Sequence, residues 1–381
     1  MRIESAELFA LRIPFVLPPM SHSAHKDRGA CDSVVLQLSS SGVLGHGEIV
    51  IREYVSGTAV GDEDLVSRTA AITRRLIDPL VDRDLEWRDA AGDGRGLSPS
   101  DLPFVCALET ALLDLACRIS GRDAYDLLGL APVRQSVAFS GIIPLYSPAA
   151  AARFLKLFAT AGVRSFKVKL GDDPAVNRAV LSACREAVGK DGDLRVDANG
   201  CWRVADAEAH LDACAAAGVF GIEQPFAVDA PGADDAMRLG VRRGFCFIAD
   251  EGFLSEGDLD AISRAGTFGM LNLRLAKNGG ITSVLRLART ASDHGLGYQL
   301  GCMAAETGIL SALGRVAGSL LPSPRWVEGG YDGHLYADHL AGRHFGFEPD
   351  GTAPVIRGAG IGYTVRPDRL EAFSVGRARV I

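Results

Sequence analysis

The sequence predicts an α/β protein: a modified TIM-type (β/α) barrel with an N-terminal α+β capping domain that the C-terminal segment completes. Three observations carry this. From about residue 136, a short apolar strand precedes an alanine-rich helical pattern again and again, as parallel strands with crossover helices require. Polar residues close the apolar runs at Lys169, Asp197, Glu223, Asp250, Lys277 and Glu306, with gaps of 28, 26, 27, 27 and 29 residues. Such gaps suit about eight strand–helix units in roughly 250 residues. Residues 1–130 and 330–381 lack the alternation. A doubly wound sheet gathers its chemistry at one switch point, whereas a ring of strands brings every strand end to one mouth.

Residues 1–130 are expected to form the cap. Strands are expected at 2–12, 33–39 and 43–50, the last two joined by the turn-like SSSG at 39–42. An amphipathic helix follows at 64–80, then a Gly/Asp-rich loop at 92–100. A more apolar helix at 102–120 stops at Gly121. Residues 131–329 form the barrel, in which SVAFSGIIPL, SFKVKLG, LRVDANG, FGIEQP, CFIADEG, MLNLRLAKNGG and GYQLGCM each lead into a helix. Residues 330–381 return to strand-like pieces such as GTAPVIRGAGIGYTV, expected to pack back on the cap.

Composition excludes several functions. The formal charge of −7, with no basic stripe, argues against nucleic acid as a partner. No apolar run approaches the roughly 20 residues of a membrane helix. The opening MRIESAELFALRIPF carries charges within its apolar run and reads as a strand, so the expected location is cytoplasmic. Eight scattered cysteines without a CxxC pair read as reduced, buried small hydrophobes. GAGIG at 358–362 precedes no helix, which speaks against a dinucleotide site, and no G-x-S-x-G elbow occurs. Trp202 and Trp326 read as packing residues.

The chemistry lies at the strand ends. Asp197, Glu223 and Asp250 come from three consecutive strands, and three carboxylates at one mouth repel unless a cation stands among them. Hard oxygen donors suit Mg²⁺, with Mn²⁺ as the alternative ion. Lys167 and Lys169 in SFKVKLG share one strand face, where two ammonium groups repel each other. A neighbouring cation and partial burial lower a lysine pKa from about 10.4 toward neutrality, so Lys167 is expected to prepare Lys169 as a base and to hold a substrate carboxylate. Lys277 approaches from the opposite side of the ring. A divalent ion on a substrate carboxylate stabilises the enediolate left when the α-proton departs. Two lysines on opposite faces allow racemisation or epimerisation; one active lysine allows elimination or cycloisomerisation.

The motifs KVK (167–169), DANG (197–200), IEQP (222–225), ADE (249–251), LAKNGG (275–280) and GCMAAETGI (301–309) together resemble the enolase superfamily. They are most similar to its muconate-cycloisomerase-like branch, which includes dipeptide epimerases, N-acylamino-acid racemases and o-succinylbenzoate synthases. The resemblance implies Asp197, Glu223 and Asp250 as Mg²⁺ ligands and Lys169 with Lys277 as the acid/base pair. It implies a homo-oligomeric isomerase acting on a small-molecule carboxylate: a racemase or epimerase of an amino-acid derivative, or else a cycloisomerase or dehydratase. Two positions depart from the pattern. Gly252 replaces a frequent serine, and Gly330 stands where dipeptide epimerases carry the first aspartate of an Asp-x-Asp pair, although Asp332 is kept. Glu306 matches a seventh-strand acid of several members, expected either to orient a substrate group or to pair with a lysine, with a plain structural role as the alternative. Specificity is expected from cap loops 17–28 and 51–57, through His22, His25, Lys26, Arg52 and Tyr54.

Overall fold

The computed structural model describes residues 1–16, 20–22, 25–52, 65–89, 97–341 and 346–381, with side chains for all of these except 20–22 and 25–28. Alternation builds the cap first. In β1 (Ser5–Leu11), the half-buried Ser5 and Glu7 alternate with the buried Ala6, after which Leu8, Phe9, Ala10 and Leu11 are all buried. A short hairpin, β2 (Met20–His22) with β3 (His25–Arg28), follows. Then β4 (Val34–Ser40) and β5 (Val43–Ile49) pair around Ser41 and Gly42, both left-handed at φ 50° and 75°. Two helices cover this part, α1 (Leu65–Ile77) and α2 (Leu102–Ser120), and α2 ends where Gly121 turns left-handed at φ 68°.

Helix α2 is buried along nearly its whole length because it lies directly on β5. The contact needs glycine. A Cβ on Gly47 would stand 1.9 Å from the carbonyl oxygen of Ala107, and one on Gly45 would stand 2.3 Å from that of Ala111.

After β6 (Ser136–Ala138) come seven parallel strands: β7 (Gly141–Ile143), β8 (Ser165–Lys169), β9 (Asp193–Asp197), β10 (Gly221–Glu223), β11 (Cys246–Ala249), β12 (Phe268–Arg274) and β13 (Gly297–Gly301). They lie side by side in chain order. Residues 326–328 close the ring. Leu300 N donates to Trp326 O, Glu328 N donates to Leu300 O, and Ser140 N donates to Val327 O. The barrel floor is apolar: Ile248, Met270 and Trp326 pack together, with the Arg195 guanidinium over the Trp326 ring at 4.7 Å. Trp202 stacks on His210 at 4.2 Å, so both tryptophans pack as expected. All eight cysteines are free, and Cys201 and Cys246 are only half-buried. Among the described residues no helix is long and apolar enough to cross a membrane.

The C-terminal segment divides its contacts. β14 (Thr352–Pro354) pairs with β6, while β15 (Ser374–Arg379) adds an antiparallel edge to β1, giving the order β15-β1-β4-β5. Between them, Ile361 N donates to Asp114 on α2, and Arg118 donates to Tyr363 O. Three sequence expectations shift. Lys277 stands in a turn beyond β12, and Glu306 lies beyond β13. Asp332 opens a helical turn, Asp332–Leu335, just past the strand-like residues 326–328 that close the ring, where strand-like pieces were expected from residue 330.

The glycine contact gives a stability prediction. Gly47→Ala should lower the unfolding free energy by about 1–3 kcal/mol, since helix and sheet must separate. Gly314→Ala, at an open helical position, should leave it unchanged or raise it by up to about 1 kcal/mol. Urea unfolding of both variants measures this, and equal midpoints would contradict the packing argument.

Candidate active site

Strand register assembles the site. Lys169 lies beside Asp197, Asp197 beside Glu223, and Glu223 beside Ile248. Asp250 is two residues past Ile248 and so returns to the same face, one step nearer the mouth. Asp197, Glu223 and Asp250 have no exposed surface. Gln224 holds the Asp250 loop: its Oε1 accepts from Asp250 N at 3.2 Å and Gly252 N at 3.1 Å, with its own backbone left-handed at φ 35°. A strained non-glycine residue persists where its surroundings over-determine it.

Each carboxylate faces cations. Asp197 accepts from Lys169 Nζ at 2.6 Å and from Asn199 N at 2.9 Å. Glu223 accepts from Lys167 (3.1 Å), Arg274 (3.2 Å), Asn272 (2.8 Å) and Gln299 (2.7 Å). Asp250 accepts from Lys277 Nζ at 2.8 Å and from Arg274. The Lys277 ammonium also donates to Asp250 O at 3.0 Å and Asn272 O at 2.7 Å. Beneath this row, Glu328 bonds Lys167 at 2.9 Å and Arg195 at 2.6 Å.

These contacts set the ionisation of the site. Burial alone would lower the Lys167 pKa, yet Glu223, Glu328 and Asp197 outweigh it and drive it above the ordinary lysine value. Lys167 is therefore a fixed ammonium. Burial would raise Glu223, but Lys167 and Arg274 hold it well below the usual carboxylate range. Asp197 is pushed up by burial and by Glu223. The Lys277 pKa is lowered, by burial first, with Arg274 adding to the effect against Asp250. Glu251 is pushed up to about 8 by burial, Asp250 and Asp197, while Asn199 Nδ2 bonds it at 3.0 Å.

Among the described residues, no three His, Cys, Asp or Glu side chains stand as a ready metal cage. Ammonium and guanidinium groups occupy the positions between the carboxylates instead. The donor set itself fits Mg²⁺: three dry, hard carboxylates at three neighbouring strand ends.

The structure gathers Lys167, Lys169, Lys277, Asp197, Glu223 and Asp250 within one barrel interior. Glu306 is half-buried beyond them. Its Oε1 accepts from Met303 N at 2.7 Å, and burial pushes its pKa to about 8. Asp332 is buried. Arg52 is also buried and donates to Asp32 and to Ala304 O, tying the cap to the segment after β13. Tyr54 lies outside the described residues, as do the side chains of His22, His25 and Lys26. Sequence reasoning missed Arg274 and Glu328. For Arg274 a signal existed: Asn272 and Arg274 alternate within the apolar MLNLRLA. Glu328 in WVEGG carried none.

A sequential ring with acids and amines at its mouth defines a barrel enzyme. The model of the enolase C-terminal domain-like family matches residues 149–369. A hydrophobic dipeptide epimerase of Roseobacter litoralis is 31% identical over 299 residues, covering 76% of this chain and 80% of that protein. A dipeptide epimerase from Cytophaga hutchinsonii, solved with Mg and the dipeptide D-Ala-L-Val, superposes with a TM-score of 0.85 at 19% identity, over 100% of both chains. Muconate lactonizing enzyme from Pseudomonas putida superposes with a TM-score of 0.84 at 23% identity, over 98% of this chain and 100% of that one. The chain belongs to the enolase superfamily, in its muconate-cycloisomerase-like branch, and is an isomerase.

Glu328 provides a test of the buried network. Glu328→Gln leaves Lys167 and Arg195 short of a counter-charge and should cost about 3–5 kcal/mol of stability. Chemical denaturation reads this directly, and an unchanged midpoint would show that the network carries little energy.

Proposed function

We propose that this chain racemises or epimerises the α-carbon of an N-acylated amino-acid carboxylate, of which a dipeptide is one kind. One observation carries the reading. Two buried lysines bracket the carboxylate row, Lys169 bonded to Asp197 at one end and Lys277 to Asp250 at the other. Asp197, Glu223 and Asp250 would hold Mg²⁺, which supplies positive charge to the substrate carboxylate when bound. A neutral lysine on one face takes the α-proton and becomes an ammonium. The lysine on the other face gives its proton to the same carbon, inverting it; the reverse reaction exchanges their roles. Lys167, held as an ammonium, adds positive potential from below, where negative charge develops.

The relative from Roseobacter litoralis, a dipeptide epimerase by name, supports the same chemistry. Gly330 removes one carboxylate expected to grip a free ammonium, which favours substrates whose amino end is acylated or weakly held. With this reading go a cytoplasmic location and a homo-oligomer, as the family resemblance implies.

Incubation in D₂O with Mg²⁺ and a panel of dipeptides and N-acetyl and N-succinyl amino acids should yield deuterium at Cα with inversion. Lys169→Ala and Lys277→Ala should each lower epimerisation by about 10²–10⁴-fold. Chelation should abolish activity and Mg²⁺ should restore it, with Mn²⁺ as the comparison ion. Formation of a ring or loss of water, without inversion, would replace this reading with cycloisomerisation or dehydration.

A further inference from the structure

The two bases named above are supported unequally. Lys169 Nζ bonds Asp197 at 2.6 Å and Asn199 at 2.7 Å, both barrel residues. Lys277 stands in the turn 275–280, between β12 and the helix Ile281–Asp293. Asn278 ties the front of that turn: its Oδ1 accepts from Arg274 N at 2.8 Å, and its Nδ2 donates to Leu254 O at 3.0 Å. Gly280 N closes the turn onto Leu275 O at 2.9 Å.

The outer face of this turn rests on the cap. Leu102, at the start of α2, covers Gly279. Glu109, in the middle of α2 and 1% exposed, reaches the next residues. Its Oε1 accepts from Thr282 N at 3.1 Å, satisfying an amide at the first turn of the helix. Its Oε2 points at Gly280, where a Cβ would come within 1.7 Å; a glycine at φ 107° admits the carboxylate. A carboxylate at a helix N-terminus is favoured by the helix dipole. Glu109 is therefore a cap residue buried against the two ends of one connection: the turn that carries Lys277 and the helix that follows it.

We propose that Glu109 is a positioning residue for Lys277, fixing from the cap the helix start and the Gly280 turn that aim the Lys277 ammonium at Asp250. The inference rests on the assignment of Lys277 as a base. It has a consequence that general loosening of the fold lacks, because the damage is one-sided. Without a Glu109 side-chain oxygen on Thr282 N, proton transfer on the Lys277 face slows while transfer on the Lys169 face continues. Misplacement of a reacting group by about 1 Å costs on the order of 10²-fold in rate.

The test uses Mg²⁺-loaded enzyme in D₂O with L-Ala-L-Phe and L-Ala-D-Phe supplied separately, and N-acetyl-L- and N-acetyl-D-phenylalanine as the second probe pair. Initial α-deuteration rates are compared for wild type, Lys277→Ala, Glu109→Ala, Glu109→Asp and Glu109→Gln, each confirmed as folded by thermal melting. Lys277→Ala identifies the epimer whose proton faces Lys277. Glu109→Ala and the shortened Glu109→Asp should slow that epimer by about 10- to 100-fold, in kcat more than in KM, and the opposite epimer by less than about threefold. Glu109→Gln keeps an oxygen for Thr282 N and should recover most of the rate. In metal-free protein, the Thr282 amide should exchange with solvent faster in Glu109→Ala than in Glu109→Gln. Equal slowing of both epimers, or no slowing in the folded Glu109 variants, overturns the proposal. If Lys277→Ala leaves both epimers exchanging, the base assignment falls and takes this inference with it. A one-sided Lys277→Ala beside an even-handed Glu109→Ala removes this inference alone.

Discussion

The structure depends on keeping carboxylates dry. Asp197, Glu223 and Asp250 sit at 0% exposure on three adjacent strand ends. Removing such ions from water costs several kcal/mol each unless charge and hydrogen bonds replace the lost hydration. The barrel answers by interleaving cations: Lys169 on Asp197, Lys167 and Arg274 on Glu223, Arg274 and Lys277 on Asp250. This explains the two same-facing lysines of SFKVKLG. Their repulsion is absorbed because Lys167 lies among Glu223, Glu328 and Asp197, and Lys169 against Asp197. Glu328 and Arg195 extend the network to the floor, where Arg195 rests on Trp326. The same arrangement gives the mouth its chemistry, since charges held in a dry frame need no reorganisation when a substrate changes its own.

Much of this was legible in the chain. Helix α2 begins and ends where its apolar pattern and Gly121 place it, and β4 and β5 fall within a residue of the expected runs. Regular spacing of acids and amines identified the carboxylate row, because each strand–helix unit spans a similar length. Cross-strand pairing was not legible. Whether an acid finds Arg274 or Arg195 depends on register between strands many residues apart, which local patterns do not encode. Glu328, a lone acid in an apolar context, was not foreseen beside Lys167, whose pKa Glu223, Glu328 and Asp197 together raise.

The cap is joined to the barrel by buried polar contacts as well as by apolar packing. Glu48 on β5 accepts from Thr307 N at 2.8 Å and from its hydroxyl at 2.7 Å, at the start of the helix Gly308–Leu320. Glu109 does the same for the preceding barrel helix, and Arg52 reaches Ala304 O. Burial raises the pKa of both glutamates, Glu109 to about 7. A carboxyl group with a raised folded-state pKa stabilises the fold less as pH climbs from its unfolded value toward the folded one. The junction is therefore firmer in mild acid than above neutrality, as far as these two groups decide it.

The pairing of β15 with β1 carries a consequence for biosynthesis. The ribosome releases β1 before the ring, but its partner on that side emerges only after the entire ring. At roughly 5–20 residues per second, that interval lasts on the order of tens of seconds. Throughout it the nascent sheet presents a bare edge, of the kind that recruits strands from neighbouring chains.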